Sequence, residues 1–176
     1  MPPDQEKTLK ALDEAVQMEM DGQKFYAGAA RDSGNEAGRR LFESLAAEEE
    51  CHRRRFEEIY EVLSRRQQWH PPEFRPGQKS PPRTIFRQAI MDCGSEIQAA
   101  ATELDALKLA IEMESRSYDL YAERGKCARS EAEKTFYRAL AAEERQHQLA
   151  LTDYQEFLSD PADWFTDKEH HSLDGG

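Results

Sequence analysis

The sequence predicts an all-α protein, a four-helix bundle made of two repeated helical hairpins joined by a long crossover. Three observations carry that prediction. Residues 11–61 align with 106–156 at a constant offset of 95 without a gap. Four separate stretches place apolar residues at spacings of three and four, the period of a helix face. The segment between the two copies, RRQQWHPPEFRPGQKSPPR, is rich in proline and basic residues. A repeated unit of this length with a small polar break in its middle is one helical hairpin per copy; the breaks are Gly34-Asn35 and Cys127 to Ser130.

Each element follows from local pattern. The first helix carries Leu9, Leu12, Val16, Glu19, Gln23 and Tyr26 on one face, with Asp4 after Pro2-Pro3 as its expected N-cap. In the second, Phe42, Leu45, Glu49, His52, Phe56, Ile59 and Leu63 form a bundle seam behind a capping box of Ser33 and Glu36. The crossover over 65–101 holds a short helix expected around Thr84 to Met91. The third long helix, capped by Thr102 with Asp105, presents Leu104, Leu107, Ile111, Glu114, Tyr118 and Tyr121. The last, capped by Ser130 with Glu133, presents Tyr137, Leu140, Glu144, His147, Leu151, Tyr154 and Leu158, and Ser159-Asp160-Pro161 stops it. The hairpins are thus expected at 4–64 and 102–159 within a bundle of residues 1–160, with 161–176 as a tail. A helix of about thirty residues is roughly 45 Å long, and about eighteen extended residues reach on the order of 55 Å. The crossover is therefore able to run the length of the bundle. Trp69 and Trp164 are expected to pack crossover and tail onto it.

Composition narrows the function classes. The chain has 176 residues, a formal net charge of −11, 34% charged residues and a mean hydropathy of −0.90, which describes one soluble, heavily solvated domain. An acidic chain repels phosphate backbones and anionic headgroups, so nucleic acid and membrane are poor partners and cations better ones. No stretch approaches eighteen consecutive apolar residues. Cys51, Cys93 and Cys127 contain no Cys-x-x-Cys pair, which argues against a thiolate metal site or a disulfide framework and for a reducing cytoplasm.

The seams hold the chemistry. Each long helix puts a glutamate where the period calls for a buried apolar side chain, and two helices add a histidine three residues on: Glu19, Glu49, His52, Glu114, Glu144 and His147. Converging carboxylates in a core repel one another and lose hydration, so metal-free they must take up protons or admit water. Two divalent cations balance four carboxylates, and neutral histidines complete the coordination. One glutamate from each of two helices and Glu-x-x-His from each of the other two is the arrangement of di-iron carboxylate bundles. Manganese and zinc tolerate the same ligands. Glu48, Glu50, Glu143 and Arg145 fall off the seams and read as solvated, with a role in supporting the ligands as the alternative for Glu48 and Glu143. Tyr26 and Tyr121 lie seven residues after their helix's glutamate and serve either as core aromatics or as hydrogen-bond donors to a ligand carboxylate. His70, His170 and His171 lie outside the repeat and are expected in solvent.

The chain strongly resembles the rubrerythrin-like branch of the ferritin-like superfamily over about residues 4–159. The resemblance rests on Ala15, Glu19, Phe25 and Tyr26, on Ala110, Glu114, Leu120 and Tyr121 at the same spacing, and on Leu-Ala-Ala-Glu-Glu-x-x-His in both copies. It implies a ferritin-like bundle with two iron ions held by Glu19, Glu49, His52, Glu114, Glu144 and His147, with Tyr26 and Tyr121 beside them. Two departures matter. Rubrerythrins carry a further glutamate where this chain has Ser117, and a four-cysteine iron domain for electron entry that this sequence lacks. Bacterioferritin has the same ligand count, but its haem-binding methionine is replaced by Glu50 and Arg145, so haem is not expected. The resemblance implies an oxidoreductase reducing hydrogen peroxide or dioxygen, in oxidative-stress defence, with an external electron-transfer protein and as a homodimer. The alternatives are a ferroxidase or iron-handling protein and a metal-free helical interaction module.

Overall fold

The computed structural model describes residues 3–66, 81–93 and 101–165. Its elements are α1 (Pro3–Asp32), α2 (Glu36–Arg66), α3 (Pro82–Cys93), α4 (Ala101–Cys127) and α5 (Glu131–Ser159), with no strand among the described residues. Helix α1 packs along α2 and α4 along α5, and the two hairpins meet through α2 with α5 and α1 with α4. This is the four-helix bundle that the repeat predicts. The short helix expected at Thr84 to Met91 is α3, longer by two residues at each end, and it packs on α2 and α5.

Helix starts depart from expectation in three places. Helix α1 starts at Pro3, so Asp4 lies in its first turn instead of capping it. Helix α2 is capped by Asn35, whose Oδ1 accepts from the Gly38 N–H at 2.8 Å. Ser33 instead donates to the Asn35 carbonyl and to Glu103 at 2.5 Å. Helix α4 starts at Ala101, so Thr102 lies in its first turn, and the buried Glu103 accepts from Ser33, Asn35 and, at 2.5 Å, the Tyr154 hydroxyl. Only glycine fits at position 38, because a Cβ there would sit 2.1 Å from the Tyr154 hydroxyl. The fourth expected cap holds: Ser130 Oγ accepts from the Glu133 N–H at 3.1 Å. Asp160 closes α5, donating its N–H to the Glu156 carbonyl.

The core has two apolar halves. One gathers Tyr26, Phe42, Leu45, Phe86, Leu107, Tyr154 and Phe157; the other Leu12, Phe56, Ile59, Tyr121, Phe136 and Leu140. Each large side chain contributes roughly 1.5–3 kcal/mol on burial. Phe86 seats α3 by ring contacts with Tyr154, Phe157 and Trp164 at 5.1, 6.2 and 6.1 Å. The buried Asp153 fixes the same helix through a two-bond grip on Arg83, one bond being 3.0 Å. Trp164 packs its segment onto the bundle as expected; Trp69 lies outside the described residues, as do His70, His170 and His171.

In α1 and α4 the buried stripe is offset from the expected seam. Ala15, Gly22 and Ala110 are buried, while Val16 and Gln23 are only partly so and Tyr118 is exposed. Small residues hold part of the true seam, and Gly22 leaves room for Glu49. A periodicity weighted toward bulky apolar residues passes over them.

Candidate metal centre

Between the two apolar halves lies a polar layer. The structure brings all six seam residues together: Glu19, Glu49, His52, Glu114, Glu144 and His147 are all buried. They form two overlapping groups whose potential ligand atoms lie within 4.8 Å of one another, Glu19, Glu49, His52 and Glu144 in one and Glu49, Glu114, Glu144 and His147 in the other. Glu49 and Glu144 belong to both. Gly22 gives Glu49 its room, since a Cβ at that position would touch the glutamate's side-chain carbons at 3.5 Å.

Four side-chain bonds tie one hairpin to the other, in two pairs related by the repeat. Tyr26 donates to Glu114, and Tyr121 donates to Glu19. His52 Nε2 lies 2.8 Å from Glu143 Oε2, and His147 Nε2 lies 2.9 Å from Glu48 Oε2. The tyrosines fill both roles open to them, as core aromatics and as donors to a carboxylate of the layer. Glu48 and Glu143 are not solvated residues off the seam, as the pattern suggests. Each reaches across the α2–α5 contact to the other hairpin's histidine. Their identity in both copies of the repeat, next to each Glu-x-x-His glutamate, was the available signal.

Those outer bonds set the histidines' chemistry. An imidazole whose Nε2–H donates to a carboxylate presents Nδ1 as its free donor atom. His52 Nδ1 lies 3.4, 3.5 and 3.2 Å from carboxylate oxygens of Glu19, Glu49 and Glu144. His147 Nδ1 lies 3.6, 3.5 and 3.8 Å from oxygens of Glu49, Glu114 and Glu144. None of these approaches has hydrogen-bond geometry: both Nδ1 atoms, Glu114 Oε2 and Glu144 Oε1 are buried without a hydrogen-bond partner. Buried polar atoms left in that state are costly. Nitrogen and carboxylate donors converging from four helices fit a pair of cations, and nothing among the described residues satisfies them.

Protons crowd this layer in the absence of cations. Burial, with the charge of Glu49, pushes the Glu19 carboxyl up to about 8. Burial and the charges of Glu114 and Glu49 also raise Glu144 well above the carboxylate range. For both histidines burial opposes protonation, but the surrounding carboxylates overcome it and hold the imidazoles well above their usual range. Glu49 stays well below the carboxylate range despite burial, because Glu19, His147 and His52 beside it favour its charged form.

The sequence model of the Rubrerythrin family matches residues 10–155. Among curated proteins and among solved structures nothing matches. The matched span contains α2, α3 and α4, all but the first residues of α1 and the last of α5, and every residue of the polar layer.

Proposed function

The chain belongs to the rubrerythrin family, and from that premise we propose that it is a non-haem di-iron oxidoreductase that reduces hydrogen peroxide with electrons from an external donor protein. The observation that carries this reading is the set of four buried atoms without a hydrogen-bond partner, two imidazole nitrogens and two carboxylate oxygens, aimed into one layer. That set also counts against a metal-free interaction module, whose seam charges would have to satisfy one another. In this reading Glu19, Glu49, His52, Glu114, Glu144 and His147 would hold two ions, Glu49 and Glu144 being common to both ligand groups. Iron, when bound, supplies the electrons and the Lewis acidity that reductive cleavage of an oxygen–oxygen bond requires; hard carboxylate oxygens suit its ferric state.

The chain's own groups do the rest. Tyr26 and Tyr121 hold one oxygen each of Glu114 and Glu19, which keeps those carboxylates from swinging out of the layer. Glu48 and Glu143 fix the imidazole tautomers and raise their basicity. The two apolar halves exclude bulk water from above and below. Reduction of one peroxide to two waters consumes two electrons and two protons. The three cysteines of these residues form no Cys-x-x-Cys pair, and this reading assigns electron delivery to an external electron-transfer protein. A homodimer in the cytoplasm belongs to the same reading; no helix among the described residues is long and apolar enough to cross a membrane.

The test is anaerobic stopped-flow mixing of the reduced, iron-loaded full chain with peroxide and, separately, with dioxygen. Peroxide should oxidise it faster, with iron held at two per chain. Dioxygen outrunning peroxide, with iron accumulating beyond two per chain, would establish the ferroxidase alternative. Failure to retain metal from an iron-replete culture would favour the interaction module.

A further inference from the structure

The repeat that builds the polar layer is broken at one residue beside it. Glu143 Oε2, the oxygen that accepts from His52 Nε2, also lies 3.0 Å from Arg55 Nη1. Arg55 and Glu143 are both about four-fifths buried, with side-chain exposures of 19% and 20%. By the offset of 95, the residue matching Arg55 is Ala150, which is fully buried and carries no charge. Glu48, the corresponding acceptor of His147, has no lysine or arginine within ion-pair distance among the described residues. The two carboxylate–histidine pairs are alike in their 2.8 and 2.9 Å bonds and differ in the guanidinium on one of them.

We infer that Arg55 makes the two metal positions unequal, so that a first divalent ion settles with Glu114 and His147 and a second, held more weakly, with Glu19 and His52. An outer carboxylate strengthens a histidine ligand by drawing on its Nε2 proton. A guanidinium sharing the same oxygen competes for that negative charge, so His52 is the poorer donor. The full positive charge of Arg55 also opposes a second cation on its own side of the layer through a low-dielectric path. Both effects have the same sign, and neither has a counterpart at His147. Arg55 is thus a positioning and tuning residue that acts through Glu143. The inference rests on the di-metal reading proposed above.

Cobalt(II) titrated into the metal-stripped full chain, followed by its visible absorption, tests this without turnover. The unaltered chain should take up two ions in two resolved steps. In Arg55→Gln the weaker step should tighten by about tenfold, at the lower end of the range for changes around a ligand histidine, with the tighter step moving less than about twofold. Arg55→Lys keeps the charge and should retain the original spacing. The Arg55→Gln effect should persist in a Glu114→Ala background and vanish in Glu19→Ala. A weaker step that is unchanged or weakened in Arg55→Gln, tightening confined to the first step, Arg55→Lys behaving as Arg55→Gln, or a single unresolved step in the unaltered chain each overturns the inference while leaving the metal centre standing. No cobalt uptake at all would instead overturn the di-metal reading itself.

Discussion

Which nitrogen of an imidazole meets a metal is decided by what holds the other one. In this protein that choice falls to Glu48 and Glu143, two residues that helical periodicity assigns to the solvated faces. The six candidate ligands were legible because each breaks an apolar seam; their supports break nothing and gain meaning only where α2 crosses α5. Glu48→Gln keeps an acceptor for His147 but removes its charge, so metal affinity at that position should fall about tenfold, read by titration of the metal-stripped chain. Glu49 belongs to both ligand groups. Glu49→Ala should therefore lower the occupancy of both ions together, by at least about tenfold each; loss of one ion with the other at full affinity would exclude sharing.

At the scale of the helix, the missed features are small residues. Position 22 and position 117 are equivalent by the offset of 95; Gly22 faces Glu49, and Ser117 lies on the same face of α4 as Glu114 and Tyr121. Rubrerythrins carry a glutamate at the position of Ser117, so Ser117→Glu should add a carboxylate to the layer and speed peroxide oxidation of the reduced protein, measured by the same rapid mixing. The hairpin turn of α1 and α2 shows a second limit. Its sequence offers both Ser33 and Asn35 as caps, and the distant Glu103 takes Ser33 away. Gly38→Ala would drive a methyl group into the Tyr154 hydroxyl and break the Glu103 network. It should destabilise the protein by about 1–3 kcal/mol, measured by denaturant unfolding with the metal content held constant.

For the whole molecule, a charged layer is held between two apolar halves that provide ample burial without it. Emptying the layer should therefore leave the bundle folded but make its stability depend on pH. Glu19 binds its proton up to about pH 8 in the folded chain against an ordinary value of 4.5, and Glu144 shifts in the same direction. Both histidines also hold their protons well above 6.5. Across pH 5 to 8 the folded state thus binds more protons than the unfolded one, and stability must fall as pH rises. The lowered Glu49 does not reverse this, because its contribution changes only below 4.5. Metal acts in the opposite sense: it displaces those protons and binds more tightly as pH rises. Thermal unfolding followed by circular dichroism should show the metal-stripped chain less stable at pH 8 than at pH 5, with the gap to the loaded chain widest at pH 8. Glu19→Gln removes one of the raised carboxyls, so its metal-stripped form should show a shallower fall and equal or greater stability at pH 8. A metal-stripped chain that is flat or more stable toward pH 8 would mean that the layer satisfies its own charges, and Glu19→Gln would then destabilise it.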